Sequence, residues 1–221
     1  MKNPLGLSWR TEIWSVLLLL VGALASIFFY AHFPERVATH WGFTGEPNGW
    51  SGRGFAAFFF PLLNLGLYLL LTWLPSLDPK AENYRHFSKI YQGFKNVLLL
   101  FMTAVYLVVG INGLGIYLPV GLIMPVAVGL LFVVLGYFMG RIKSNWFMGI
   151  RNPWTLSSEI VWQKTHHQGG IAFMIAGVLL ALLPLCPEAL RLPVFFLIII
   201  LAAVYPNVYS YFIYRSLPNK P

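Results

Sequence analysis

The sequence predicts an all-α, polytopic membrane protein: a six-transmembrane-helix bundle with an interfacial or re-entrant helix between helices 4 and 5. Hydrophobic residues make up 58% and charged residues 10% of the 221 positions, whereas soluble domains hold about 45–50% and about 25%. Six stretches also approach the roughly 20 apolar residues that a membrane-spanning helix needs. These stretches cover residues 12–33, 54–74, 94–113, 118–138, 169–185 and 193–213. The composition excludes a soluble enzyme, a disordered chain and a secreted disulfide scaffold.

The first span ends at Pro34, because proline cannot continue the helical hydrogen-bond ladder and restricts the residue before it. Ala23, Leu24 and Ala25 resemble a signal-peptide cleavage site, but the apolar run continues past them, so we keep this stretch as a span. The third and fourth spans are joined by the short connection NGLGIY, which predicts an antiparallel pair of helices. The single cysteine, Cys186, permits no internal disulfide.

The distribution of basic residues predicts which side of the membrane each loop faces. Of the 15 Lys and Arg residues, only Arg36, Arg53 and Arg191 lie in loops opposite the termini. The others, Lys95 among them, lie on the side of the termini. Cytoplasmic loops carry the excess of Lys and Arg, so both termini are expected in the cytoplasm of a multi-pass protein of the cell membrane. Orientation and contact with membrane lipids then explain the net charge of +8, and no direct nucleic-acid partner is predicted.

The first outer loop, residues 34–53, combines turn chemistry with aromatic residues. Residues 46–49, with the sequence EPNG, favour a turn, since proline presets φ and Asn-Gly tolerates positive φ. Trp41 and Trp50 flank this turn, so we expect the loop to fold back onto the membrane surface. His40 has two interpretations: a ligand contact or pH-sensitive group, or a histidine that is hydrogen-bonded within the turn.

The second connection is predicted to begin a helix at Asp78 and Pro79, an N-cap acceptor followed by proline at the first helical position. Aromatic residues then recur at three- and four-residue spacing: Tyr84, Phe87, Tyr91 and Phe94. This pattern predicts a basic amphipathic helix that lies in the inner leaflet. A docking face for a soluble partner is the alternative.

The third connection, which we call the signature segment (residues 141–170), is too polar to span the membrane and is rich in tryptophan. Pro153 favours a helix start, and Gly149 and Gly170 favour hinges or tight turns. We therefore expect the interfacial or re-entrant helix here, packed beneath the bundle.

The signature segment shows little catalytic chemistry. His166 and His167 are adjacent and cannot share a metal as an i, i+4 pair would. Nearby carboxylates for acid–base work are scarce. No catalytic residue, metal site or cofactor is predicted.

Gly136 and Gly140 form a GxxxG pair in the fourth span, which favours close contact with another helix. Two interpretations stay open: packing within the bundle, or a homodimer formed through these glycines.

Two groups of residues resemble the SdpI family of bacterial membrane proteins. The first group is similar to a short domain of unknown function at the start of that family: Pro34, Val37, His40, Trp41, Gly42, Gly45, Pro47 and Trp50. The more specific group lies in the signature segment: Asn145, Gly149, Ile150, Arg151, Pro153, Trp154, Thr155, Trp162, Lys164, Thr165, His166 and Gly170. We divide the chain into an N-terminal two-span unit, residues 1–75, and an SdpI-like four-span unit, residues 76–221.

The resemblance implies an immunity and signal-transduction protein. The namesake of the family protects a Gram-positive cell from a secreted toxic peptide and draws a cytoplasmic repressor to the membrane when toxin is present. By this resemblance, the outer loop near His40 would face the toxin, and the inner segments would face the repressor. A small membrane transporter or channel is the alternative function, and a membrane enzyme is the third hypothesis.

Five residues of the signature segment are predicted to form one packed polar-aromatic unit: Arg151, Trp154, Thr155, Trp162 and His166. Arg151 needs acceptors, because its guanidinium carries five donors and stays charged. Glu159, loop carbonyls and lipid phosphate are the candidate acceptors. On one helix, Trp154 and Trp162 would lie two turns apart on roughly the same side.

Overall fold

The computed structural model describes residues 3–218, and six of its helices are long and apolar enough to cross a membrane. The helices are α1 (Trp9–His32), α2 (Arg53–Trp73), α3 (Tyr84–Gly113), α4 (Val120–Met139), α5 (Pro153–Ser157), α6 (Glu159–Leu182) and α7 (Glu188–Arg215). All but α5 are membrane spans. The predicted polytopic helical bundle, with a short helix between the fourth and fifth spans, is confirmed.

The connections between spans lie at two ends of the bundle, because successive spans run in opposite directions. We call the end that carries residues 33–52 the hairpin end, and the end that carries residues 140–158 the signature end. Between them, large apolar side chains point away from the bundle. Leu24 and Ile27 of α1 are 68% and 67% exposed, which fits a surface in contact with lipid.

The first loop forms a β-hairpin that the sequence analysis did not predict. Strands β1 (Arg36–Trp41) and β2 (Pro47–Gly52) pair antiparallel. The turn lies at residues 42–46, where the Gly42 N–H donates to the Glu46 carbonyl over 3.0 Å and Gly45 has a φ of +88°. The predicted turn at residues 46–49 is therefore wrong, since most of these residues belong to β2. Gly45, which tolerates positive φ, makes the turn instead.

The spanning helices pack in two groups of three. In one group α1, α2 and α3 contact one another, and in the other α6 lies between α4 and α7. Contacts between α3 and α4 join the two groups. The predicted division at residues 75 and 76 therefore assigns α3 to a different unit from α1 and α2, against which it packs.

The third span starts earlier than the predicted 94–113. A short turn over Ala81–Asn83 precedes α3, which begins at Tyr84 and kinks at Phe87, so the predicted helix start at Asp78 is wrong. Tyr84 and Phe87 are buried in an aromatic cluster against the signature segment. The predicted interfacial amphipathic helix is thus the first part of the third span, with its aromatic side buried and Arg85 and Lys89 exposed. Lys95, predicted among the loop residues, is also fully buried in α3.

The fifth span likewise starts earlier than the predicted 169–185. Helix α6 begins at Glu159, so Trp162 and His166 lie on a spanning helix and not in a loop. The helix between the fourth and fifth spans, α5, is only 5 residues long. The rest of the predicted interfacial helix forms the first turns of α6.

Helices α4 and α6 touch backbone to backbone at two glycine pairs. A Cβ built on Gly136 would lie 2.5 Å from the Gly170 carbonyl oxygen, and one built on Gly129 would lie 2.5 Å from the Gly177 carbonyl oxygen. Such distances are too short for any side chain. Gly129 and Gly136 of α4 therefore pack inside the bundle. Gly136 is not available for the homodimer that the sequence analysis considered as the alternative.

Candidate functional site

The signature segment turns around the side chain of Asn145, which is fully buried. Its Oδ1 accepts hydrogen bonds from the N–H groups of Phe147 (3.0 Å) and Met148 (2.6 Å). Its Nδ2 donates to the carbonyl of Lys143 over 2.9 Å. Asparagine suits this position, because its amide supplies both an acceptor and donors to the backbone of a turn.

Asp78 and Tyr84 attach this turn to the second connection. Oδ2 of Asp78 accepts from the Trp146 N–H (2.8 Å) and from the Tyr84 hydroxyl (2.9 Å). The same hydroxyl lies 3.2 Å from Oδ1 of Asn145. Asp78 is buried, so these donors replace water around its carboxylate. The residue predicted as a helix cap therefore holds two distant segments together.

His166 fixes the next part of the segment through both ring nitrogens. The Ile150 N–H donates to Nε2 over 2.9 Å, and Nδ1 lies 2.8 Å from the Trp162 carbonyl oxygen. A backbone N–H can only donate, so Nε2 must be the acceptor and Nδ1 carries the proton. His166 is therefore a neutral, fully engaged imidazole, and neither nitrogen is available as a general base.

Gly149 allows this approach of the loop to His166. Its φ is +103°, and a Cβ at this position would collide with Nε2 of His166. Glycine alone meets both requirements without strain, because it lacks a Cβ and adopts positive φ readily.

A capping box starts α5 directly after this loop. The Thr155 N–H donates to Oδ1 of Asn152 (2.9 Å), and the Asn152 N–H donates to Oγ1 of Thr155 (3.0 Å). Pro153 occupies the first helical position, where no N–H is needed. Nδ2 of Asn152 also donates to Oδ1 of Asn207 (2.9 Å) and to Oγ of Ser210 (2.8 Å). These bonds tie α5 to α7.

Trp162 is the largest fully buried side chain at this end of the bundle. Its Nε1–H donates to the Ile142 carbonyl over 2.8 Å, and its ring stacks on His166 with 3.9 Å between centroids. Burial of the ring together with a satisfied indole N–H makes tryptophan a strong packing residue. Trp162 therefore anchors the start of the signature segment to α6.

The predicted five-residue unit is formed only in part. Thr155, Trp162 and His166 are buried together, and the Thr155 hydroxyl donates to the Ile150 carbonyl over 2.9 Å. Trp154 lies on α5 and packs edge-to-face on Tyr211 of α7, with 5.2 Å between centroids. Trp154 and Trp162 are thus on different helices, and the predicted arrangement on one helical face is wrong.

The charged residues of the signature segment face outward. Arg151 is exposed, and its guanidinium donates to the Trp146 carbonyl, one of the predicted classes of acceptor. Lys164 is exposed on α6, whereas the neighbouring Thr165 is fully buried. Gly170 lies inside α6, in the glycine contact with α4, so the predicted hinge or tight turn at this residue is wrong. The outward side of the site therefore carries positive charge.

The hairpin holds the predicted outer motif. Nδ1 of His40 is hydrogen-bonded to Oδ1 of Asn48 across the two strands, which agrees with the interpretation of a histidine bonded within the loop. Trp41 pairs with Pro47 at the end of the ladder, and Trp50 is half exposed on β2. Pro34 precedes β1 and is exposed.

Contacts at the turn attach the hairpin to the helix group formed by α4, α6 and α7. Gly42 begins the turn, and Gly45 approaches the backbone of Gly121 on α4 so closely that a Cβ would lie 3.0 Å from its nitrogen. Phe43 packs edge-to-face on Phe195 of α7, with 5.4 Å between centroids. The hairpin therefore bridges the two helix groups.

Comparisons with known proteins match both parts of this site. Residues 141–210 match the SdpI/YfhL protein family, and residues 17–65 match the domain of unknown function DUF1648. Over 208 residues the chain is 23% identical to the Immunity protein SdpI of Bacillus subtilis (strain 168), which covers 94% of this chain and 98% of that protein. The chain is therefore similar to the SdpI/YfhL family in its signature segment and to this immunity protein over nearly its whole length. No solved structure matches it significantly.

Two apolar cavities lie between the two helix groups. The hairpin-end cavity, about 300 Å³, lies beneath hairpin residues 39–43 and extends between α3, α4, α6 and α7. The signature-end cavity, about 330 Å³, lies behind residues 147–150 and is lined by apolar side chains of α2, α3, α4 and α6. Within residues 3–218, no three His, Cys, Asp or Glu side chains come close enough to hold a metal ion.

Sequence reasoning missed Asp78, Tyr84 and Asn152 as members of the site. Asn152 had a detectable signal, because Asn-Pro-Trp-Thr places an N-cap residue three positions before a side chain able to bond back. Asp78 and Tyr84 had no such signal. Their partners Trp146 and Asn145 lie 68 and 61 residues further along the chain.

Proposed function

We propose that this protein is an integral membrane immunity protein of the SdpI family that protects its cell from a secreted toxic peptide. The observation that carries the proposal is the similarity to the Immunity protein SdpI, which extends over 94% of the chain. That match includes both the hairpin and the signature segment, so it is more than a shared set of apolar helices.

The proposed orientation puts the hairpin end outside the cell and the signature end in the cytoplasm. It is supported by charge, since exposed basic residues cluster at the signature end, for example Arg141, Lys143 and Arg151. Basic residues are retained on the cytoplasmic side of membrane proteins. The hairpin is then the part of the protein that meets a secreted peptide.

We further propose that protection works by binding and not by turnover. The polar groups of the signature segment are committed to structure: His166 uses both ring nitrogens, and Asp78 holds three donors. Committed groups cannot also act as nucleophile or general base. The apolar lining of the hairpin-end cavity supports binding over conduction of ions, because it offers few polar groups to replace a hydration shell.

The test uses Bacillus subtilis cells that lack their own SdpI and produce graded amounts of this protein. On challenge with the secreted toxic peptide, survival is expected to rise in proportion to the amount of protein in the membrane. Mass spectrometry of the medium is expected to find the peptide intact. Unchanged survival at high protein levels contradicts the immunity proposal, and peptide fragments contradict the binding proposal.

We propose that the signature end also holds a cytoplasmic repressor at the membrane. Its outward face supports this, because Arg151 and Trp146 are exposed and in contact, and Lys164 is exposed on α6 above buried residues. Exposed Arg and Trp are the residues most enriched at the centres of protein interfaces. In the same cells, a fluorescent repressor is expected to move to the membrane only when both the toxic peptide and this protein are present.

A further inference from the structure

The hairpin-end cavity has the form of a binding site and not of a packing defect. At about 300 Å³ it reaches the lower limit of the size range of small-molecule sites. Its α4 wall runs from Val120 to Val128, and the eight helical rises of 1.5 Å between them make it about 12 Å deep. A narrow cavity of this depth fits an extended chain better than a compact ring.

Polar and apolar groups are segregated along this depth. The inner walls are apolar, for example Val105 and Val108 of α3 and Val128 of α4. The polar side chains, Thr39 and His40 of the hairpin and Arg191 of α7, belong to the hairpin end. A ligand that matches both parts has an apolar chain that points into the bundle and a polar head group at the hairpin.

The surroundings of Arg191 indicate that this head group is negatively charged. Its Nε and one terminal nitrogen donate to the carbonyls of Cys186 and Pro184, each over 3.2 Å. Its other terminal nitrogen bonds to none of the described residues, and no described carboxylate forms an ion pair with it. Arg191 is also the only permanently charged residue among those that line the cavity in the described chain. A half-buried guanidinium without a counter-ion favours an anion.

We propose that the hairpin-end cavity binds an anionic amphiphile, with its acyl chain between α3 and α4 and its head group on Arg191. A free fatty acid and an acyl chain of an anionic phospholipid share this chemistry. This proposal goes beyond the immunity role proposed above, and its test uses lipid-like probes and no toxic peptide. The hairpin closes the site, since Phe43 rests on Phe195 and Gly45 rests on Gly121.

The test is photo-crosslinking in nanodiscs made of zwitterionic phospholipid. A diazirine-bearing fatty acid, the corresponding fatty alcohol and the corresponding alkyl phosphate are each added to the purified full-length protein. Peptide mapping is expected to place the crosslinks of both anionic probes on residues that line the cavity. The alcohol is expected to label these residues about tenfold less, the effect of losing one charge-assisted contact. Stronger labelling by the fatty acid identifies a free fatty acid, and stronger labelling by the phosphate identifies a phospholipid.

Four variants make the result decisive. Arg191→Gln is expected to lower labelling by the anionic probes about tenfold without changing labelling by the alcohol. Arg36→Gln, a matched loss of charge at the same end but outside the cavity, is expected to change nothing. Met124→Trp, which fills the cavity, is expected to abolish labelling by all three probes, and Val108→Phe repeats this block from α3.

Each variant is compared with the parent protein by its elution profile and melting temperature, so that misfolded protein is set aside. Equal labelling of the cavity by alcohol and fatty acid, or no effect of Arg191→Gln in folded protein, overturns the anionic site. Labelling that persists in both folded cavity-filling variants overturns the cavity as the location.

Discussion

Lys95 of α3 and Glu12 of α1 form an ion pair inside the helix group of α1, α2 and α3, with 2.7 Å between Nζ and Oε2. The side chain of Lys95 is completely buried and that of Glu12 is 13% exposed. Nζ also lies 3.3 Å from Oγ1 of Thr72 on α2, and Gln92 donates to Oε1 of Glu12 over 3.0 Å. One buried charge pair therefore joins all three helices of the group.

Removal of one partner of this pair is expected to destabilise the protein strongly. Lys95→Met leaves the Glu12 carboxylate without its counter-ion, a loss of about 3–5 kcal/mol for a buried pair. The double variant Glu12→Gln, Lys95→Met removes both charges and is expected to recover most of the loss. The melting temperature of the purified protein, followed by tryptophan fluorescence, checks this. A double variant that melts no higher than Lys95→Met would show that the pair is not the source of the effect.

Gly149→Ala is expected to destabilise the signature segment. The new methyl group collides with Nε2 of His166, and the residue must keep a positive φ, a conformation that costs about 1–3 kcal/mol. Gly66→Ala in α2 is the matched control, because a Cβ there meets nothing within 4 Å and alanine favours the helix. Limited proteolysis is expected to cut the Gly149→Ala protein first between residues 141 and 152. Equal resistance of the two variants contradicts the close approach of Gly149 to His166.

Cysteine labelling tests the proposed orientation. Cys186 is first replaced by alanine, and single cysteines are then placed at the exposed positions Lys143 and Thr44. A membrane-impermeant maleimide added to intact cells is expected to label Thr44→Cys at the hairpin end and to spare Lys143→Cys. Both should react after the cells are permeabilised. The reverse pattern in intact cells means that the signature end faces outward.

Arg151→Lys is expected to abolish membrane recruitment of the repressor while protection against the toxic peptide persists. The guanidinium of Arg151 holds the Trp146 carbonyl and keeps further donors in a fixed plane toward solvent. Lysine keeps the charge but not this geometry. Lys143→Arg makes the reverse exchange, lysine to arginine, at a nearby exposed position and is expected to have no effect. Normal recruitment by Arg151→Lys at equal membrane levels removes Arg151 from the proposed interface.

The six spans could be predicted because hydropathy depends only on local composition. The starts of α3 and α6 could not, since their first turns carry polar and charged residues such as Lys89 and Lys164 that a hydropathy window rejects. These turns are helical because tertiary contacts support them, for example Tyr84 and Trp162 in the same buried cluster. Propensity and hydropathy contain no information about such partners.

The signature segment likewise has some features that could be predicted from the sequence and others that could not. Its residues could be singled out by their resemblance to the SdpI family, and Pro153 could be placed at a helix start by its missing N–H. The sequence did not reveal which residues point inward. His166 faces the loop because the Ile150 N–H needs an acceptor there, whereas the adjacent His167 is exposed. That choice follows from the three-dimensional path of the backbone.

The glycine contacts between α4 and α6 limit how this membrane protein can move. Gly129 meets Gly177 and Gly136 meets Gly170, so over two turns the helices touch without an intervening layer of side chains. Sliding or rotation would drive Val133 or Met174 into the opposite backbone. We therefore expect α4 and α6 to move together as one unit. A movement of one helix group relative to the other is then expected where α3 meets α4, because the two cavities leave space there.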